Sequence, residues 1–200
     1  MKYTVFDTPI LNTSLHYITV FILKVMGWKY VGPDEEFPEK YVIAAAPHTT
    51  NWDFPVFLAV VFSLRIKSYW MGKKELFRWP FGAFLKWLGG IPVERSKSQN
   101  MVSQIVDVFN QHDKFVLAVQ TEGTRKKMPR WKTGFYHIAC GAKVPLGFGF
   151  NDFPSKTLGI GRLFMPTGDI DHDIKVIREF YADKVGKYPE NYSEITFTKK

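Results

Sequence analysis

A single cysteine, Cys140, among 200 residues excludes an intrachain disulfide framework and fits a reducing compartment. No apolar run is long enough to cross a bilayer. Leu15 to Met26 is interrupted by His16, Thr19 and Lys24, and Phe54 to Leu64 is apolar for only 11 residues, short of the roughly 20 that a spanning helix needs. Leu76 to Leu88 is broken by Arg78, Pro80 and Lys86. No small-residue cleavage site follows the first apolar stretch, so it is not read as a signal peptide. Repeats and low-complexity linkers are absent, which leaves one domain over residues 1–200. Also missing is a G-x-S-x-G nucleophile turn. Gly147-Phe-Gly149 and Gly159-Ile-Gly161 complete no nucleotide loop. His137 and His172 have no ligand spacing with His48 or each other, so neither a metal nor a bound cofactor is expected.

What remains is a basic, aromatic chain. Hydrophobic residues make up 46% and charged ones 23%, which excludes disorder. A chain of this length buries about 70% of its unfolded surface in one core. With 18 Phe and 6 Trp, there is more aromatic surface than a core alone uses. A net charge of +8 calls for an anionic partner. Trp28, Trp70, Trp79 and Trp87 alternate with Lys24, Lys73, Lys74, Arg78 and Lys86, a set suited to a membrane interface. Residues 1–32 are therefore expected to form a membrane-facing helical segment. The cations interleave with aromatics in no nucleic-acid motif, so nucleic acid is not an expected partner.

Helical patterns at Leu11–Met26, Trp52–Leu64, Glu75–Leu88, Gln99–Gln111, Thr133–Cys140 and His172–Val185 alternate with strand-like runs. The strands fall at Tyr41–Ala46, Lys67–Met71, Ile91–Val93, Phe115–Val119, Val144–Phe148 and Leu158–Phe164. Met101, Ile105 and Phe109 form the apolar stripe of the fourth helix, while Asp171 is expected to cap the last. Alternation of this kind predicts an α/β domain with a mostly parallel central sheet flanked by helices.

Three of these runs end in groups that do chemistry. After the first comes His48-Thr-Thr-Asn-Trp-Asp53, after the second Glu94-Arg95, and after the third Glu122-Gly-Thr-Arg125. In a parallel sheet all three sit at carboxyl strand ends, where open α/β folds bind ligands. The first block has a geometric reading of its own. Residues five apart on one helix point about 140° away from each other, so His48 and Asp53 meet only across a helix start. With Pro47 ending a strand and Asn51 or a neighbouring Thr capping a helix, Asp53 would lie in its first turn. There it would orient a neutral imidazole as a proton acceptor.

These blocks resemble those of the glycerophospholipid acyltransferases of the lysophosphatidate (1-acyl-sn-glycerol-3-phosphate) type. That family carries H-x4-D, then a glycine-containing block ending in an acid and Arg, then E-G-T-R. Here they stand as His48 to Asp53, Gly89 to Arg95 and Glu122 to Arg125, with a weaker Val144-Pro145-Leu146 block after them. The resemblance runs from Tyr41 to Gly149, the expected catalytic core. Pro47 and Thr121 stand where many members carry Asn and Pro, a departure that touches subfamily and substrate but removes no reacting group.

The resemblance implies transfer of a fatty acyl group from a thioester, acyl-CoA or acyl carrier protein, to the free hydroxyl of a lysophospholipid. Lysophosphatidate, giving phosphatidate, is the default acceptor and lyso-ornithine lipid an alternative. His48 would be the general base and Asp53 its orienting acid, with direct attack by the acceptor and no acyl-enzyme. Lys73, Arg95, Glu122, Gly123, Thr124 and Arg125 would bind substrate, Arg through bidentate bonds to phosphate. A structural ion pair at a strand end would account for Glu94 and Arg95 as well. Trp52, Phe54 and Phe57 are candidate walls for an acyl tunnel. Arg125 to Lys132 holds five cations in eight residues, suited to anionic headgroups, coenzyme A phosphates or an acidic carrier protein, although a solvated loop would look the same. The expected location is the cytoplasmic face of a membrane, peripheral or monotopic. A His-Asp esterase or thioesterase and a non-catalytic membrane or nucleic-acid binder are the rival classes.

Overall fold

The computed structural model describes residues 3–94, 98–124 and 126–197. Among these the helices are α1 (Pro9–Val25), α2 (Asp53–Ser63), α3 (Gly82–Trp87), α4 (Ser98–Gln111), α5 (Gly134–Ala142) and α6 (Ile170–Tyr181). The strands are β1 (Lys29–Val31), β2 (Lys40–Ala46), β3 (Ser68–Lys73), β4 (Gly90–Val93), β5 (Phe115–Gln120), β6 (Leu146–Asp152) and β7 (Thr157–Phe164). They form one sheet in the order β1-β7-β6-β2-β5-β3-β4. Every neighbouring pair is parallel except β6 and β7. The central strands are buried on both faces, which is why β2 and β5 are near-continuous apolar runs.

Side chains along a strand alternate between faces, and β2 divides its residues accordingly. Val42, Ala44 and Ala46 join a core with Phe109, Phe135, Ile138, Phe148, Ile177 and Tyr181 from the α4, α5 and α6 side. Tyr41 and Ile43 join another with Leu23, Val60, Val61 and Phe62 from α1 and α2. The α/β architecture expected from the alternating pattern is thus present, with helices on both faces.

Four local expectations differ. Glu75–Leu88 is not one helix: a 3-10 turn at Lys74–Phe77 precedes α3, because Pro80 has no N–H to continue a helical ladder. Strand β1, short and exposed, carries no period-2 signal and was not anticipated. Strand β6 continues to Asp152 and turns back antiparallel into β7. The cap of α6 is Asp169, whose Oδ1 accepts from Asp171 N at 3.0 Å and His172 N at 3.2 Å, two residues ahead of the expected Asp171.

Strands β2 and β6 are fastened by one phenol. Tyr181 Oη donates toward Ala44 O at 2.6 Å and Gly149 O at 3.1 Å, deep in the core. Loss of that donor leaves buried carbonyls short of a partner, so Tyr181→Phe is expected to cost about 1–2 kcal/mol. For a chain of this size that is a Tm lower by roughly 2–8 °C, readable by calorimetry; an unchanged Tm would show the bond to be dispensable.

Candidate active site

The loop from β2 to α2 places a histidine against a carboxylate. His48 Nδ1 lies 2.9 Å from Asp53 Oδ2, and both residues are buried, at 8% and 9% exposure. Asp53 is the first residue of α2, where the helix dipole favours a negative charge. Its Oδ2 also accepts from Thr50 N at 2.9 Å, and its Oδ1 from Asn151 Nδ2 at 3.3 Å. The expected cap is replaced by this arrangement: Trp52 occupies the cap position with no side-chain bond, and Asp53 itself reaches back to the loop. A carboxylate so held fixes Nδ1 as the donor, which leaves Nε2 as the nitrogen that can take a proton.

His48 and Asp53 line a largely apolar cavity between α2 and the sheet. Its walls include Phe54, Phe57 and Val60 of α2, Ile43 of β2, Trp70 of β3 and Phe150 of β6. Phe54 and Phe57, expected as walls of an acyl tunnel, both line this cavity. Trp52 does not: it is exposed, with Lys187 Nζ 5.3 Å above its ring.

Glu122 differs from the acceptor-binding role expected of it. The residue is 0% exposed; Oε1 accepts from His48 N at 2.7 Å and Oε2 from Ser193 N at 3.2 Å. A carboxylate this enclosed holds the histidine loop and the C-terminal segment together and has no open face for a substrate. Burial pushes its pKa above the usual carboxylate range, against the lowering effect of the His48 and Ser193 bonds. Gly123 follows at φ +71°, a conformation that favours glycine, and a Cβ there would lie 3.1 Å from the Lys132 stem. Thr124 is half-buried on the same loop.

Lys73 is exposed at the carboxyl end of β3, in register with Val93 of β4. Neighbouring Lys74 approaches Glu94 at 3.8 Å. Arg95 and Arg125 lie outside the described residues. Cys140 is half-buried, and burial raises its thiol pKa, the opposite of a nucleophile's activation. The basic stretch is anchored from below: Met128 N donates to Ser193 Oγ at 2.9 Å and Trp131 Nε1 to Ser193 O at 3.1 Å, while Lys126 and Lys127 are exposed.

Two contributors escaped the sequence reading. Asn151 is the next-to-last residue of β6, and the strand-end rule that flagged the other blocks would have found it had the strand been drawn past Phe148. The C-terminal segment is the other. Tyr188 N bonds Thr49 Oγ1 at 3.3 Å, and a Cβ on Gly186 would meet Thr49 and Pro47; no local motif announces such a crossing.

The loops after β2 and β5 thus bring a His-Asp pair and a buried glutamate together at one end of an α/β sheet. The acyltransferase family model matches residues 29–147, and the chain belongs to that family. No curated protein matches the sequence significantly. Among solved structures, the 1-acyl-sn-glycerophosphate (LPA) acyltransferase PlsC from Thermotoga maritima is similar in fold. The TM-score is 0.58 at 16% identity, over 85% of this chain and 76% of that one.

Because the Glu122 pKa is raised on folding, the folded state binds more protons than the unfolded one just above the ordinary glutamate pKa of about 4.3. Stability therefore falls as pH rises through that interval. Denaturant unfolding from about pH 4 to pH 8 should show native protein losing stability relative to Glu122→Gln as pH rises; parallel profiles would sink this reading.

Proposed function

We propose that the chain transfers a fatty acyl group from a thioester donor, acyl-CoA or acyl carrier protein, to the free hydroxyl of a lysophospholipid, with lysophosphatidate as the leading acceptor. The observation that carries the reading is the His48–Asp53 pair, 2.9 Å apart, set in the wall of an apolar cavity within the family-matched region. The similarity in fold to PlsC supports the choice of acceptor.

In this mechanism the acyl chain lies along Phe54, Phe57 and Val60 and brings its thioester carbon beside His48. Nε2 takes the proton of the acceptor hydroxyl as the oxygen attacks the carbonyl, and Asp53 steadies the imidazolium that forms. The tetrahedral intermediate collapses with departure of the thiolate, which recovers the proton from His48. Binding both substrates in one orientation supplies the rest of the acceleration. Lys73, Arg95 and Arg125 meet the acceptor phosphate in this scheme. Neither metal nor organic cofactor is needed by any step.

The proposed location rests on surface chemistry. Among the described residues no helix is long and apolar enough to cross a membrane. Yet α1 exposes Ile10, Tyr17, Ile18, Phe21, Ile22 and Val25, and Phe81, Phe84 and Trp79, the last at 91%, are exposed around α3. We place this face on an anionic membrane surface, with Lys24, Arg78 and Lys86 at headgroup level. Of the four tryptophans expected at the interface, only Trp79 is fully outside. Trp28 packs on Phe153 at 5.1 Å, Trp70 bonds Leu88 O at 3.0 Å, and Trp87 is half-buried.

Purified protein given mixed lysolipids and each thioester donor should yield a diacyl lipid by mass spectrometry. His48→Ala should abolish it, a loss of at least ~10²-fold, with circular dichroism unchanged; a fully active His48→Ala would end the mechanism. Free fatty acid with no acylated lipid would assign a hydrolase instead. Arg125→Ala is expected to raise the acceptor KM with little change in kcat. In flotation assays, native protein should follow anionic vesicles and a Phe21→Ser/Trp79→Ser variant should stay behind; equal flotation would remove this face from the membrane.

A further inference from the structure

Asn151 is a buried amide with an unusual account. It is 5% exposed and lies outside the region matched by the family model. Its Nδ2 donates to Asp53 Oδ1 at 3.3 Å, while its Oδ1 is buried with no hydrogen-bond partner. A buried amide left half-satisfied works against the fold, and an apolar side chain of similar size would suit this wall of Phe54, Phe57 and Ile43 better. Positions that break the local rule in this way tend to be functional.

The backbone explains how Asn151 gets there. Strand β6 runs parallel to β2, with Phe150 in register with Ala46, so the following residue emerges beside the histidine loop. Gly149, on the same face, carries no side chain, and a Cβ there would lie 2.6 Å from Ile43. That leaves Asn151 as the polar group that β6 presents to Asp53.

We propose that Asn151 is a positioning residue that fixes the Asp53 carboxylate, extending the His48–Asp53 pair to a third member supplied by β6. The inference rests on the acyl-transfer reading above. Of the two carboxylate oxygens, Oδ2 already carries His48 Nδ1 and Thr50 N; the Asn151 bond stops rotation about the Cβ–Cγ axis and keeps Oδ2 directed at the imidazole. Asn151 acts on the reaction through Asp53.

Steady-state kinetics of Asn151→Leu test this alongside its Tm. The expected result is a kcat lower by about 10- to 100-fold, the range seen where outer groups orient functional side chains, with both KM values unchanged and Tm unchanged or higher. A purely structural amide would instead lower Tm and spare kcat. In the Asp53→Asn background, adding Asn151→Leu should change the residual rate less than twofold, because the group through which it acts is already gone. Native-like kcat in Asn151→Leu, or full additivity with Asp53→Asn, would overturn the proposal. If Asn151→Leu does not fold, Asn151→Ser, which keeps a hydroxyl donor, is read in the same cycle. Absence of any acyl product from native protein would fail the parent reading, a result separable from these.

Discussion

The architecture of the site depends on one buried carboxylate. Glu122 links three stretches far apart in sequence: its own loop after β5, the histidine loop after β2 and the C-terminal segment at Ser193. Taking a carboxylate out of water is expensive unless its oxygens are bonded. Here each oxygen has a backbone N–H donor, and burial still dominates the pKa. Such an enclosed charge tolerates little displacement of its donors. The His48 backbone is therefore held by Glu122, and its side chain is held by another group.

That other group is Asp53, and the helix start makes it suitable. Its carboxylate meets the positive end of α2, the Thr50 amide and the His48 ring at once. A single side chain closes the loop, starts the helix and selects the tautomer. The five-residue spacing follows: fewer residues would not let the chain leave β2, turn and enter a helix with both side chains on the same side.

The strand ends were legible in the sequence because parallel strands are apolar throughout and their polar successors stand out. Tyr41 to Ala46 and Phe115 to Val119 could be read almost to the residue, and with them His48, Asp53 and Glu122. The role of Glu122 was not legible, since burial is a property of the assembled chain and nothing in E-G-T-R distinguishes a group facing substrate from one facing inward. Asn151 was hidden for a simpler reason. Gly147 and Gly149 dilute the apolar pattern of β6, so the strand looked finished at Phe148. The split at Pro80 turns on one missing N–H and the Asp169 cap on two hydrogen bonds, both below the resolution of periodicity. As for the crossing of residues 186–193 over the site, it rests on contacts with residues more than 60 positions away.

The two sides of the sheet carry different burdens. The α4, α5 and α6 side is closed by large buried aromatics, Trp131, Phe135, Tyr136 and Tyr181. On the α1 and α2 side the core is thinner, the cavity opens, and exposed apolar residues continue outward along α1 and around α3. His48 sits where that apolar side meets the polar strand ends. That position suits the proposed acceptor, which has a long apolar part and a charged part joined near the reacting bond. Under the proposed function the same asymmetry accounts for the apolar side chains exposed beside the cavity: an amphiphilic substrate would leave a membrane most readily across a surface that is itself apolar, so this face of the fold and the proposed chemistry of His48 answer to one requirement.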